Sequence, residues 1–547
     1  MSRASRRSIT ESGASFARIL EGRWRENLEE KSGIYNNETP ALWATKSGDR
    51  KAAGDRLPNS RADVKDEHTS CSRGSPPSQR PTSQTVRRGD NRPGAVDGAR
   101  PLDPQHQHGD KYGLMWRAGR AEHSPWFVAS VLAGCYAIAF LDRALVSVAG
   151  ASIKHDLSLS DTQFGLLSGT AFVFLYALCG LPLGWLADRT DRRRMIALAI
   201  LVWTAMTAVC GLSETFPSFF AARVGVGFAE AALLPAGMSL LSSTVPRPQM
   251  GRSVAIFLMG AAFGNAAALL GGGALLICFE HAGPISLPIL GVLSPWKLLF
   301  LVTCPLGLAA AALMATIREP CRLTIATTEG SVLRRAVGHI GAYRAAYGFL
   351  TAATCCTLML SQAQAAWLPL FYVRQFGLQP GHSAILVGLM FLTSVPTGQF
   401  AGGMLTDHLQ ARGIAAAPHV AIALCTSLSL PPAILFCTTH DLGVSEAADV
   451  LFSFLVSAST PNGLLGLQLL TPERYQGIAS AMLISIVSLV GVGIGPAAVG
   501  FLTDHFFREE HGLGAALLSV IATAGLAAPL VAILGRRSFA CAVAARR

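Results

Sequence analysis

Between residues 126 and 535 the chain repeats one pattern, in which an apolar run of about 18 or more residues is followed by a short polar loop. Each run is long enough to cross the hydrocarbon core of a bilayer, which is about 30 Å thick. Because lipid offers no hydrogen-bond partner to a peptide group, each crossing segment must satisfy its own backbone as a helix. The sequence therefore predicts an all-α membrane protein. Twelve spans are expected, at 126–150, 162–186, 195–213, 217–243, 252–278, 296–317, 344–372, 382–405, 416–437, 446–470, 477–503 and 513–535.

Residues 1–124 differ from the rest of the chain. They hold 22 of the 45 lysines and arginines and 16 of the 34 acidic residues, a net charge of +6 against +5 for the remaining residues. A polar segment without sustained apolar periodicity cannot bury enough surface to fold, so a disordered basic tail is predicted. The alternative, which we favour, is an overlong gene start whose true beginning lies near Met115. In neither case does the net charge of +11 require a nucleic-acid partner.

Arginines in the loops set the expected orientation. The segment Gly180–Arg194 leaves a long apolar run and at once carries Arg189, Arg192, Arg193 and Arg194. Loops on this side of the membrane are rich in arginine, whereas the opposite loops carry Lys154, Lys297, Arg374 and Arg508. Because basic loops stay in the cytoplasm, both termini are expected there, which requires an even number of spans.

Two spaced motifs indicate an internal duplication. Gly184-x3-Asp188 recurs as Gly403-x3-Asp407, and Pro246-x4-Gly251 recurs as Pro472-x4-Gly477. The offsets are 219 and 226 residues, which is the length of six spans with their loops. We therefore expect two six-helix halves that alternate access to a central cavity. The expected divisions are 125–317, a cytoplasmic linker at 318–343, 344–535, and a cytoplasmic C-terminus at 536–547.

Ionisable residues within the spans are the first functional candidates, because charge inside a membrane is costly. The sequence indicates four: Asp142 and Arg143 in span one, and Arg223 and Glu230 in span four. Arg223 and Glu230 are seven residues apart, so they share a helix face about 10 Å apart. Such a cluster can load a proton when an arginine leaves a carboxylate. The alternative is a structural set of ion pairs that only fastens the two helices together.

Uncharged side chains suggest where a cavity is lined. Gln362 and Gln364 in span seven and Asn462 in span ten are candidates for solute contact, and Tyr136 and Phe140 are candidates in span one. The two glutamines lie two positions apart and so point to different faces of their helix. The alternatives are interhelical hydrogen bonds for the polar groups and simple packing for the aromatic rings.

A conformational latch is expected in the loop between spans two and three. Gly184 permits close helix approach, and Asp188 is placed to meet the N-terminus of span eleven near Gly477, where a helix dipole attracts a carboxylate. Arg189 or Arg192 would brace that contact. Such a latch would join the two halves when the site is open to the outside. The alternative is a solvated acidic residue in a loop.

Seven passages of the chain are distinctive. They are FLDR at 140–143, DLSLSDTQFGLLSG at 156–169, YALCGLPLGWLADR at 176–189, ARVGVGFAEAALLPA at 222–236, PWKLLF at 295–300, TPERYQGIASA at 471–481 and GVGIGP at 491–496. Together they resemble the Spinster-like branch of the major facilitator superfamily. The resemblance implies proton coupling and substrate contact at Asp142, Arg143, Arg223 and Glu230. Phe140 replaces the usual tyrosine before Leu-Asp-Arg, and Ala139 replaces an asparagine, so the substrate expected of relatives does not transfer directly.

Together these features predict a proton-coupled secondary transporter in a bacterial inner membrane. The expected solute is an amphipathic lipid-like compound or an organic anion; an efflux pump for hydrophobic drugs and a non-transporting receptor or anchor are the alternatives. The sequence contains no ATP-binding fingerprint and, within the spans, no arrangement of residues typical of an enzyme. The expected partners are the solute, protons and membrane lipid. The chain is expected to act as a monomer without cofactor or metal.

Overall fold

The computed structural model describes residues 124–187, 189–246, 249–283, 285–287, 291–319, 329–508 and 512–546. The predicted disordered tail, the latch residue Asp188 and part of the linker lie outside the described residues. Within them, twelve long helices follow one another. They are α1 Pro125–Val148, α2 Asp161–Ala187, α3 Arg192–Leu212, α4 Phe216–Thr244, α5 Met250–Ala282, α6 Pro295–Thr316, α7 Arg344–Phe376, α8 Pro380–Ala411, α9 Ala417–Thr438, α10 Leu442–Leu470, α11 Glu473–His505 and α12 Gly512–Ala544.

The predicted class, an all-α multi-pass membrane fold, is confirmed. Eleven of the twelve helices are long and apolar enough to cross a membrane; α7, of 33 residues, is not among them. Its middle carries Ser361, Gln362 and Gln364, which lower its mean hydropathy although it packs inside the same bundle. Two shorter helices, Gly150–Asp156 and Glu329–Ala342, precede α2 and α7 respectively. One small antiparallel hairpin, β1 Ile285–Leu287 and β2 Gly291–Leu293, joins α5 to α6.

The same helix pairings occur in both halves of the chain, as the internal duplication of the sequence predicts. In the first half α1 packs on α5 and α3 on α6; in the second half α7 packs on α11 and α9 on α12. α2 and α4 approach closely at Gly227, where an added Cβ would lie 1.9 Å from the carbonyl oxygen of Phe172. α8 and α10 do the same at Gly402, against the carbonyl of Ala458. The bundle therefore consists of two six-helix halves.

The halves meet at one end of the bundle. We call the end where α1 begins and α12 ends the tail side, and the opposite end the far side. One core draws side chains from both halves on the far side, and there the rings of Phe164 and Trp367 meet edge to face at 5.0 Å. Toward the tail side each half has a core of its own, one containing Phe257 and the other Phe539. The far side is thus the closed side.

Two helices widen where the halves meet. α2 contains the π-helical turn Leu166–Thr170, which packs against α11, and α5 contains Ala267–Gly272, which packs against α8. Such turns are rare inside α-helices and are frequent at functional sites. The hydroxyl of Thr170 in the first turn donates to the carbonyl of Gly493 on α11, at 2.6 Å. The closed seam therefore runs along α2 and α11 and along α5 and α8.

Candidate functional site

Two of the predicted site residues form an ion pair between α1 and α4. The Nε and Nη2 atoms of Arg143 lie 2.7 and 2.6 Å from Oε2 of Glu230. Glu230 is 1% exposed, and its other carboxylate oxygen has no hydrogen-bond partner. It sits at the end of the helical segment Phe216–Glu230, directly before the break in α4. The pair therefore joins the two helices at a point where one of them is interrupted.

Aromatic rings surround the guanidinium of Arg143. Its carbon lies 4.5 Å from the ring centre of Phe140, 4.3 Å from that of Phe172 and 4.9 Å from that of Tyr176. A cation over an aromatic face is stabilised by the ring quadrupole, and more strongly when it is desolvated. These rings keep Arg143 inside the bundle and give it a second set of partners besides Glu230. The predicted aromatic Phe140 thus contacts the charge site directly.

The other two charges of the predicted cluster are buried without an ion-pair partner among the described residues. Asp142 accepts a hydrogen bond from the hydroxyl of Thr207 at 3.2 Å, while its Oδ1 atom has no partner. The Nε atom of Arg223 likewise has none, although its guanidinium lies 5.6 Å from the ring of Phe172. The four residues therefore lie in one region, as one tight pair and two incompletely satisfied charges.

Removing the arginine of the pair is expected to destabilise the protein. Arg143→Ala leaves Glu230 buried without a counter-charge, which costs about 3–5 kcal/mol in fully buried pairs. Because the side chain of Arg143 is 21% exposed, we expect about 2–3 kcal/mol, read as a lower melting temperature of the detergent-purified protein. The double variant Arg143→Ala/Glu230→Ala should recover part of the loss. Equal losses in the single and double variants would contradict this account.

The predicted cavity residues are held mainly by helix contacts. Tyr136 packs edge-on against Phe140 at 4.8 Å and beside Phe257 at 5.0 Å. The amide of Asn462 donates to the carbonyl of Ala458 at 3.0 Å, and its oxygen accepts from Thr406 on α8. The contacts of Tyr136 are those of simple packing, and the bond from Thr406 to Asn462 is an interhelical hydrogen bond.

The two glutamines of α7 differ, as their spacing predicts. Gln362 is half-buried, whereas Gln364 is buried and reaches α10. Its Nε2 atom lies 2.5 Å from Oδ1 of Asp449 and 2.7 Å from Oγ of Ser453. Gln364 therefore holds a buried acid.

That acid corrects the sequence analysis, which confined ionisable residues in the spans to four. Asp449 lies inside α10, is 0% exposed, and belongs to the second half. The available signal was the spacing of Ser445, Asp449 and Ser453 at four-residue intervals, which places all three on one face of a helix.

The latch residues are only partly described. Gly184 faces Pro235 of α4, where an added Cβ would lie 3.4 Å from the proline ring, and the guanidinium of Arg189 lies 3.8 Å from the ring centre of Trp185. Arg192 is bound to the carboxylate of Glu319 after α6 at 2.6 Å and to the carbonyl of Ser239 at 2.8 Å. In this state Arg192 therefore ties together the tail-side ends of the first half. The latch itself stays a prediction, because Asp188 lies outside the described residues.

A charge group on the far side was not foreseen. The Nη1 and Nη2 atoms of Arg374, at the end of α7, donate to the carboxylate of Asp161 at the start of α2, at 2.9 and 2.7 Å. Lys154 binds the same carboxylate. Asp504, at the end of α11, accepts from the backbone N–H groups of Asp161 at 3.0 Å and Thr162 at 2.7 Å. We call Lys154, Asp161, Arg374 and Asp504 the far-side gate.

The far-side gate joins the two halves through two charged contacts at the start of α2. Arg374 binds the side chain of Asp161, and Asp504 binds the backbone N–H groups of Asp161 and Thr162. The N-terminus of α2 carries partial positive charge, which suits the carboxylate of Asp504. Burial lowers the pKa of the Lys154 amine below its usual range, and Asp161 opposes that effect. Asp504 against α2 is the far-side counterpart of the contact predicted for Asp188 against α11.

Two six-helix halves, with a buried charge site inside the first of them, define the class: a multi-pass membrane transporter. A family model for the Major Facilitator Superfamily matches residues 132–496, and the chain belongs to that family. Among its sequence relatives, an MFS-type efflux pump of Mycolicibacterium smegmatis is 25% identical over 407 residues, 73% of this chain and 90% of that protein. A probable L-galactonate transporter of Escherichia coli is 24% identical over 425 residues, 72% and 87% respectively.

The Spinster-like resemblance is also confirmed. The crystal structure of a bacterial homologue of the human lysosomal transporter Spinster, inward-facing and unoccupied, shares the fold with a TM-score of 0.64. It is 23% identical, and the match covers 77% of this chain and 98% of that one. Protein spinster of Drosophila melanogaster is a sequence relative as well. The chain is therefore similar to Spinster proteins both in fold and in sequence.

Proposed function

We propose that the protein is a proton-coupled secondary transporter working by alternating access. The observation that carries this proposal is the α1–α4 site, where Arg143 holds Glu230 while an oxygen of Asp142 has no partner. A buried carboxylate that exchanges a guanidinium for a proton during the transport cycle can couple transport to protons. Glu230 has such a partner in Arg143, and the aromatic rings around Arg143 would still hold the guanidinium after the carboxylate is protonated.

The charge balance of this site favours an anionic solute. Asp142, Glu230, Arg143 and Arg223 sum to zero when all four are ionised, and a proton on either acid leaves one positive charge. An anionic headgroup would then complete the site, since guanidinium groups bind carboxylates and phosphates in a bidentate manner. The neighbouring rings suit an apolar tail beside that headgroup. The solute we propose is an amphipathic lipid-like compound or an organic anion, and the similarity to a probable L-galactonate transporter supports the second class.

The proposed setting is a bacterial inner membrane with both termini in the cytoplasm. Arginines concentrate in tail-side loops, which is the distribution that cytoplasmic loops show. In this orientation the far side is the outside, and the closed far side corresponds to a state open toward the cytoplasm. The proposed unit is a monomer, with the solute, protons and membrane lipid as partners.

Export of hydrophobic cations is the second candidate, favoured by the similarity to an MFS-type efflux pump. A cationic solute would compete with Arg143 for Glu230 rather than complete a positive site. The two candidates therefore differ in the sign of the transported solute.

Proton movement in proteoliposomes tests the proposal. The full chain, with Glu230→Gln and Asp142→Asn variants, would be given lysolipids, fatty acids, sugar acids and cationic dyes under an imposed pH gradient. We expect one anionic class to move protons and either neutralisation to reduce that movement about 100-fold or more, the size of a lost positioned proton-transfer group. Glu214→Gln, at an exposed loop position, is the matched control and should leave transport unchanged.

Two other results would each favour one of the alternative functions. If solute uptake is unchanged by the pH gradient and by both neutralisations, the charge site has only a structural role and holds α1 and α4 together. Proton movement with cationic dyes alone would favour the efflux function.

A further inference from the structure

The second half contains a buried acid that the α1–α4 mechanism does not use. Asp449 on α10 is fully buried, and its Oδ1 atom accepts from the amide of Gln364 on α7 at 2.5 Å. The same amide donates to Ser453, one turn further along α10. The Oδ2 atom of Asp449 has no hydrogen-bond partner. One oxygen of this carboxyl group therefore has a hydrogen-bond partner and the other has none.

No lysine, arginine or histidine forms an ion pair with Asp449 within the described residues, in contrast to Glu230. The ionisable groups that face it are the phenol of Tyr372 on α7 and the thiol of Cys437 on α9. Glu446, one turn away on α10, adds negative charge near that phenol. Tyr372 is also fully buried, and its hydroxyl has no hydrogen-bond partner. The surroundings of Asp449 thus contain neutral groups and negative charge.

An ionised carboxylate in such a place lacks both solvent and counter-charge, and buried charges without partners are strongly disfavoured. A neutral carboxyl group avoids that penalty. Its hydroxyl becomes a donor on the oxygen that now has no partner, while its carbonyl oxygen keeps the bond from Gln364. We propose that Asp449 is a second proton-binding site of this transporter, held by Gln364 and Ser453 and protonated while the far side is closed.

The route to this site runs through the far-side gate. Asp449 lies seven residues into α10 from Leu442, or about 10 Å from the far-side end of that helix. Tyr372 precedes Arg374 by two residues on α7, and Arg374 binds Asp161 across the seam. Parting of the halves would move this end of α7 and bring water to Asp449. The proton would then be exchanged with the far-side solution. Such an exchange rests on the proposed transport function and adds a second proton site to it.

Infrared difference spectroscopy on the full-length protein over a pH series tests the site directly, without a known solute. We expect a protonated-carboxyl band that is lost in Asp449→Asn and retained in both Glu230→Gln and Asp142→Asn. Gln364→Leu should keep the band but move it to higher frequency, because the carbonyl of the acid loses its hydrogen bond. Retention of every protonated-carboxyl band in Asp449→Asn overturns the proposal.

A second measurement asks whether the proton is exchanged. With a transported solute in proteoliposomes, Asp449→Asn should lower the number of protons moved per solute by one while downhill solute movement persists. An unchanged proton count, or replacement of the proton dependence by a sodium dependence, overturns the exchange. Loss of coupling in Glu230→Gln together with an intact infrared band of Asp449 separates the two sites. Failure of the α1–α4 proposal is in this way distinguishable from failure at Asp449.

Discussion

Gly169→Leu is expected to abolish transport while leaving the protein folded. Gly169 lies in the π-helical turn of α2, and a Cβ placed there would be 2.2 Å from the carbonyl oxygen of Val492 on α11. No real side chain tolerates that approach to a backbone atom, and the ring of Pro496 on the same helix lies close by, at 3.2 Å from the added atom. The far side therefore cannot close, although a state with the halves apart there has room for leucine. Alternating access requires both states.

Gly180→Leu is the matched control, because it lies on the same helix with nothing within 4 Å of an added Cβ. It should retain transport in proteoliposomes. Hydrogen–deuterium exchange provides the second readout: Gly169→Leu should raise exchange in the far-side segments 161–174 and 489–500, and Gly180→Leu should not. Normal transport by Gly169→Leu would mean that the seam of α2 and α11 does not close during the cycle.

Much of the fold was predictable because it follows from local chemistry. An apolar run of membrane length must become a helix, and the repeated spacing of Gly184-x3-Asp188 and Gly403-x3-Asp407 already implied two halves. The seven-residue spacing of Arg223 and Glu230 likewise placed them on one face of α4. The rotation of one helix relative to another depends instead on contacts between residues that are far apart in the sequence. For this reason the sequence did not reveal that Arg143, rather than Arg223, would hold Glu230.

The far-side gate shows the same limit at longer range. Arg374 and Asp161 are separated by 213 residues, and both lie at helix ends, where a charge is ordinary. The sequence analysis therefore treated Arg374 only as a loop residue and gave Asp161 no role, and no spacing rule connects them. Asp449 was missed for another reason: it lies near the beginning of its span, only seven residues from Leu442, among small residues that read as apolar packing. The remaining signal was the four-residue spacing of Ser445, Asp449 and Ser453, which forms one polar face of the helix.

Arg374→Ala is expected to move the protein toward a state with the far side open. The substitution removes two charge-assisted hydrogen bonds that join α7 to α2, together with the counter-charge that Arg374 provides to Asp161. The side chain of Arg374 is 27% exposed, so solvent screens part of the interaction. We therefore expect a bias of about 1–3 kcal/mol, which corresponds to a roughly 5- to 150-fold change in the ratio of the two states.

Hydrogen–deuterium exchange at the start of α2 and the end of α11 measures this shift in the absence of solute. Exchange there should rise in Arg374→Ala and in Asp161→Asn, since each removes one side of the same contact. Arg508→Ala is the control: this arginine is exposed at the far side and donates to the carbonyl of Asp504 within its own half. Equal exchange in all three variants and the wild type would mean that backbone packing at Gly169, and not charge, keeps the far side closed. A rise confined to the first two would assign that role to the pair, because the packing of α2 on α11 is unchanged in every variant.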